Sequence, residues 1–276
     1  MKNLKITNPD KILFPKDKIK KIDLINYYID ISSYMLPYVE NRLLSVIRCH
    51  EGIKGECFFK KHPTTDKEFV KTFKDKNEEY FFISTKEELV YQAQLGTIEF
   101  HTWGSKIQKV NKPDLMVFDL DPDEKLSLEK LRNASIKVKS VLDELHLKSF
   151  LKTSGGKGYH IVVPFSSSKS WDKFYDFSKQ IALLIEQKWP QEFTTKIKKT
   201  NRKGKIFIDY LRNDKGATCV APYSLRARQN APVSMPIGWK DLSKIEPSQI
   251  TMQNIKTRLS KKDPWENFFE INQSIK

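Results

Sequence analysis

The sequence predicts an α+β protein, on three observations. From residue 115 onward, short apolar runs of strand length alternate with two long amphipathic stretches, in the order β-α-β-β-α-β. The apolar residues of the long stretches recur at helical spacing. The chain has 276 residues, 39% hydrophobic and 12% aromatic, enough to bury a sizeable core.

The first part, to about residue 112, reads as one lobe. KIDLINYYIDISSYMLPYV (21–39) carries Ile22, Ile25, Tyr28 and Ile29 at helical spacing. LLSVIRC (43–49), CFFK (57–60) and TIEFHTW (97–103) are strand-like, with a GIKG turn between the first two. The second part, about 113–212, is more regular. LMVFDLD (115–121) is a strand. Residues 127–147 form a helix with Leu128, Leu131, Val138, Val141, Leu142 and Leu145 on one side. KSFLKT (148–153) and YHIVVPF (159–165) are strands around an SGGKG turn, residues 170–189 form a helix, and KIFIDYL (205–211) is the last strand. This order is the split, ferredoxin-like arrangement. By analogy with that fold, its first and last strands can lie side by side. Residues 213–276 form a C-terminal segment. No long internal repeat or low-complexity linker interrupts the chain.

Charge narrows the partner. Lys plus Arg number 49 against 34 Asp plus Glu, a net charge of +15. Such an excess points to a polyanion, nucleic acid first and an anionic membrane surface second. The longest apolar runs, such as IALLI at 181–185, are far too short to span a bilayer. The N-terminus lacks the apolar core of a secretory signal, so a cytoplasmic protein is expected. Cys49, Cys57 and Cys219 form no CxxC pair, and buried or free thiols are expected rather than zinc or a disulfide.

Against this basic background, LMVFDLDP ends a strand on two carboxylates. Side chains at i and i+2 share a strand face, so Asp119 and Asp121 stand side by side. Two readings compete: an Asp-Pro turn whose carboxylates cap backbone N–H groups, or a divalent metal site. Side-by-side first and last strands would add Asp209, from FIDY, to the patch. Three carboxylates on a basic protein suit Mg²⁺ or Mn²⁺, and two such ions about 3.5–4 Å apart serve phosphoryl transfer.

Three further stretches bear on this. In TSGGKGYHI (153–161) the glycines let the backbone approach an anion closely, with Ser154, Lys157 and His160 as added donors; a plain glycine hairpin is the alternative. The spacing is not that of a Walker A loop. KIKKTNRKGK (196–205) has six basic residues and no acid, either a solvated loop or a phosphate contact. In CFFKKH (57–62) adjacent phenylalanines face opposite ways, so one of Phe58 and Phe59 is expected in the core and the other free to stack on a base.

TNPDKILFP, GECFFKKHP, EFHTWGSK, VFDLDP, TSGGKGYHI, IFIDYLRN, TCVAPYSLRAR and APVSMPIGW occur in order over nearly the whole chain. Together they resemble the polymerase domain of bacterial ligase D. That domain belongs to the archaeo-eukaryotic primase superfamily and serves non-homologous end joining. The resemblance implies a primase fold in which a ferredoxin/RRM-like catalytic sheet packs with an N-terminal α/β lobe, all in one catalytic domain, 1–276. It implies that Asp119, Asp121 and Asp209 carry two catalytic metals, Mn²⁺ or Mg²⁺. Ser154, Gly155, Gly156, Lys157 and His160 would hold the incoming NTP or dNTP, with His101, Arg202 and Arg226 as further polar contacts. Phe58 and Phe59 match an aromatic pair that meets the bases, and Lys11 and Lys21 match lysines that grip a 5′-phosphate.

The implied activity is template-dependent nucleotidyl transfer that fills gaps and extends 3′ ends on DNA, with a preference for ribonucleotides. In many relatives the domain is fused to a ligase and often a phosphoesterase, neither of which lies in these 276 residues. A fused or separate DNA ligase and an end-binding protein of the Ku type are the expected partners, at the nucleoid. A replicative-type primase, a non-catalytic DNA-end-binding module and a metal-dependent nuclease are the alternatives. The first usually carries a zinc cluster, which this sequence lacks. The second would not need all three aspartates, and the nucleotide-pocket motif disfavours the third.

Overall fold

The computed structural model describes residues 4–63 and 69–275. Its central feature is a six-stranded sheet in the order Phe193–Thr194, Ile206–Asp209, Leu115–Pro122, Tyr159–Pro164, Phe150–Thr153, Pro236–Ile237. The middle four strands are the predicted ones, antiparallel throughout, with the first and last of them adjacent as the ferredoxin-like arrangement requires. Met116, Phe118 and Leu120 form the fully buried apolar face of the Leu115–Pro122 strand. Val117, Asp119 and Asp121 therefore share the other face. Helices Leu128–Glu144 and Trp171–Lys188 pack on each other and on this sheet. They bury Leu131, Ala134, Val138, Val141 and Leu142 from the first and Phe174, Ile181, Ala182 and Ile185 from the second. Leu145, expected on the apolar side, caps the first helix and is exposed, because the helix ends one residue before it.

The N-terminal part builds a second sheet, ordered Cys219–Val220, Thr97–Lys106, Arg42–Arg48, Phe58–Lys60. The expected helix over 21–39 is two helices, Lys21–Asp30 and Ser32–Val39, separated at Ile31 (φ −91°, ψ 0°). A third helix, Lys86–Gln94, went unread in the sequence although Thr85 and Glu88 form a capping box at its start. The hairpins Ile12–Phe14/Ile19–Lys20 and Lys71–Asp75/Glu78–Phe82 were also unread. The C-terminal segment joins both sheets: Pro236–Ile237 pairs into the six-stranded sheet and Cys219–Val220 into the second. Arg42, almost wholly buried, grips Asp114 with two bonds of 2.6 and 2.8 Å just before the Leu115–Pro122 strand begins. The main hydrophobic core extends from Leu13 to Ile275, and a smaller cluster holds Leu43, Trp103 and Trp171. Among the described residues no helix is long and apolar enough to cross a membrane.

The thiol expectation fails at two of three positions. Cys49 and Cys57 are disulfide-bonded, with Cα atoms 4.3 Å apart, and only Cys219 is free. Arg48 and Phe58 are register partners in the sheet, so the residues just beyond them face each other across the turn. Gly52 makes that turn at φ +75°; a Cβ there would lie 2.6 Å from the Leu13 carbonyl oxygen.

Candidate active site

Antiparallel register sets Asp209 directly opposite Asp119, and Asp121 follows two residues on along the same strand face. One carboxylate oxygen from each lies within 4.8 Å of the others. Burial pushes the Asp119 carboxyl up, but His160 and Arg212 outweigh it and hold it at about 2. At Asp121 the relief from His160 and Arg202 is too small to win. Burial, then the charges of Asp119 and Asp209, raise this carboxyl to about 6. Asp209 is raised by burial and by Asp119, against the pull of Arg212. His160 Nε2 stands 3.2 Å from Asp119 Oδ1, and Arg212 Nε 3.0 Å from Asp209 Oδ2. The cluster is short of positive charge and offers only oxygen. That is the donor set a hard divalent cation such as Mg²⁺ or Mn²⁺ takes.

The Ser154–Gly158 turn borders this cluster. Gly158 presses on the aspartate strand so closely that a Cβ would lie 2.1 Å from the Leu120 carbonyl oxygen. Ser154 Oγ accepts from the N–H groups of Gly156 (3.0 Å) and Gly158 (3.2 Å), and Gly155 N–H donates to the Pro247 carbonyl. These turn amides are thus bonded within the protein rather than left open for an anion. Lys157 reaches the exposed Glu124 at 2.6 Å. A cleft of about 260 Å³ opens here. Of the predicted residues, His101, Asp119, Asp121, Ser154, Gly156, Lys157, His160 and Arg226 line it. Arg212, Cys219 and Arg228 line it too and were not singled out from the sequence.

Two buried networks hold the cleft walls. In the first, Glu99 accepts from Arg226 Nε and Ala227 N–H and stands 2.9 Å from His101 Nε2. Burial raises the Glu99 carboxyl, yet His101 and Arg226 bring it down to about 2. Burial lowers the His101 imidazole, and Glu99 opposes that shift. Arg226 also donates to the Ser154 carbonyl at 2.6 Å, which ties the N-terminal sheet to the turn. In the second, the buried Lys152 Nζ donates to Ser234 Oγ at 2.7 Å and stands 2.9 Å from His160 Nδ1. Its burial lowers it to about 8. Cys219 Sγ lies 3.1 Å from the same His160 nitrogen. Glu99 and Lys152 had legible signals. One shares a strand face with His101 at i+2, and the other is a lysine inside the apolar run FLKT.

The remaining candidates lie around the cleft. Arg202 stacks 3.6 Å over the Phe207 ring, donates to the Lys196 and Ile197 carbonyls, and stops 4.0 Å from Asp121. The basic run therefore folds back toward the aspartates through Arg202. Phe58 and Phe59 are 38% and 58% exposed, so neither joins the core. The expectation for one of them fails because their strand is a three-residue sheet edge, exposed on both faces. The Phe59 ring stands 6.2 Å from that of His101, at the cleft's rim. Lys11 and Lys21 are neighbours: Lys21 N–H donates to the Lys11 carbonyl. Lys11 Nζ pairs with Glu51 at 2.5 Å, and the nearly buried Lys21 Nζ donates to the Thr7 carbonyl at 2.8 Å. Burial, then the charge of Lys11, lowers Lys21. Neither lysine lines the cleft.

Comparison with known proteins fits this geometry. The family model described as LigD, primase-polymerase domain, matches residues 20–265. The chain is 34% identical over 281 residues to the multifunctional non-homologous end joining protein LigD of Pseudomonas aeruginosa, covering 99% of this chain and 34% of that protein. It is 32% identical over 274 residues to the bifunctional protein LigD of Bacillus subtilis, covering 98% of this chain and 45% of that one. The chain thus spans about a third to under half the length of these relatives. The solved polymerase domain of Mycobacterium tuberculosis ligase D, in complex with DNA, superposes with a TM-score of 0.89 at 27% identity, over 97% of this chain and 98% of that one. The chain belongs to the LigD primase-polymerase domain family and is a nucleotidyltransferase.

Proposed function

We propose that the protein fills gaps and extends 3′ ends on templated DNA next to a 5′-phosphate, within non-homologous end joining, and that it prefers ribonucleotides. The observation that carries this reading is the convergence of Asp119, Asp121 and Asp209 on neighbouring strands, over a cleft whose other walls are basic. The catalytic domain we propose is the whole chain, 1–276, with the C-terminal segment pairing into both sheets.

Asp119, Asp121 and Asp209 would hold two divalent cations, Mn²⁺ or Mg²⁺. When bound, such ions lower the charge on the reacting phosphate and on the attacking and leaving oxygens. The rest of the work falls to the protein. His160, held from behind by Lys152, orients Asp119. Lys157, Arg202, Arg226 and Arg228 offset the charge of the triphosphate, and His101 is a further polar contact. Ser154, its hydroxyl already set by two turn amides, would meet the sugar of the nucleotide. Phe58 and Phe59 stack on bases, an interaction that tolerates any sequence. Lys11 and Lys21 hold the 5′-phosphate. Fixed positioning of primer end and nucleotide supplies most of the acceleration. A DNA ligase then seals the nick, and a Ku-type protein brings the ends together at the nucleoid.

The test is incubation with a 5′-phosphorylated gapped duplex, Mn²⁺ and each nucleotide in turn. Template-directed addition is expected. Asp119→Ala should abolish it while DNA binding is kept or strengthened, because a carboxylate that repels phosphate is gone. Strand cleavage, or near-normal extension by the variant, would refute the reading.

A further inference from the structure

We infer that Arg212 is a built-in counter-ion of the aspartate cluster, which must move aside before a divalent cation takes its full set of carboxylates. The inference rests on the reading of that cluster as the metal site. Arg212 sits on the short turn Leu211–Asn213, directly after the strand that carries Asp209. Its side chain folds back so that Nε lies 3.0 Å from Asp209 Oδ2 and 3.9 Å from Asp119 Oδ2. One guanidinium thus spans two of the three carboxylates. Mg²⁺ binds carboxylate oxygen at about 2.0–2.1 Å. Placed on the same two oxygens, it would stand a few Å from a like charge with little water between them.

The surroundings show which part can move. Asn213 accepts from the Val117 N–H at 2.7 Å and donates to the Val117 and Tyr210 carbonyls, which ties the turn to the aspartate strand. The backbone of Arg212 is therefore held. Its side chain is not: it is 42% exposed and borders the cleft. The other partner of Asp119, His160, is buried and backed by Lys152, so it stays. Arg212 is the displaceable charge. Swung into the cleft, it meets the anionic end of a bound nucleotide, so metal and nucleotide bind with positive coupling.

Mn²⁺ titration of the full chain without nucleotide, followed by the electron paramagnetic resonance of the free ion, tests this. Arg212→Gln should bind Mn²⁺ about tenfold more tightly than wild type, since a like charge a few Å away is removed. Arg212→Lys, which keeps the charge, should stay close to wild type. Thermal melting with and without Mn²⁺ gives a second reading, free of catalysis: the variant should be the less stable protein in EDTA and gain more from Mn²⁺. Equal or weaker Mn²⁺ binding by Arg212→Gln would overturn the inference. A separate control isolates the reading beneath it. If Asp121→Asn leaves wild-type Mn²⁺ binding intact, the aspartates are not the metal site at all.

Discussion

Replacing Asp121 by asparagine is expected to stabilise the metal-free protein while abolishing its proposed polymerase activity. The Asp121 carboxyl is raised from 3.8 to about 6, by burial and then by the charges of Asp119 and Asp209. A rise of that size corresponds to about 3 kcal/mol against the ionised folded state. The carboxylate is about half exposed, so solvent screening reduces this to about 1 kcal/mol. The sign follows from linkage. The folded value lies above the unfolded one, so the penalty is absent below about pH 3.8, grows as pH rises, and is complete above about 6. Asparagine removes it. In EDTA at pH 8, Asp121→Asn should therefore melt about 2–4 °C above wild type. Near pH 4.5 most of the difference should vanish. With Mn²⁺ the order should reverse, because only wild type gains from the ion. A variant no more stable than wild type in EDTA at pH 8 would show that the three carboxylates do not strain the fold.

Phe59→Ala should weaken binding of templated DNA by about 1–3 kcal/mol, through lost base stacking, with an unchanged melting temperature because the ring is already exposed; a large loss of stability would place it in the core after all. Glu99→Gln strips a partner from both His101 and Arg226 inside the protein, and should cost about 3 kcal/mol of stability and raise KM for the nucleotide; a KM equal to wild type would count against both residues as nucleotide contacts. Single-turnover insertion should favour ribo- over deoxynucleotides by roughly ten- to a hundred-fold, the cost of leaving a polar partner of the 2′-OH unpaired, and equal rates would remove the preference. Lys11→Ala/Lys21→Ala should abolish discrimination between 5′-phosphate and 5′-hydroxyl gaps while extension of a plain primer-template survives; full discrimination by the double variant would make these lysines structural.

Much of the part that carries the six-stranded sheet was legible because its signals are local. The Leu128–Glu144 and Trp171–Lys188 helices carry strong 3.6-residue periodicity, and the four central strands are short apolar runs bounded by Pro, Gly or Asp. The side-by-side placement of Asp119 and Asp121 needed only the two-residue period of a strand. The short hairpins near residues 12–20 and 71–82 and the two-residue strands at 193–194, 219–220 and 236–237 were not legible. Segments that short carry too few residues for periodicity to show.

The sequence by itself determined the residues that could do the chemistry and the order of the elements that bear them. Tertiary structure decided which of them meet. Asp209 faces Asp119 because two strands 90 residues apart pair in one register, and register is a property of the pair rather than of either strand. The same cause closes Cys49 onto Cys57, which spacing alone did not reveal. Phe58 and Phe59 read as half core from alternation, yet a sheet edge exposed on both faces leaves both in solvent. Arg212 was one arginine among 49 basic residues until the fold bent it back onto two carboxylates. A charge acquires its partner only when backbone pairing fixes distances of a few Å, and pairing between distant segments leaves no trace in local composition.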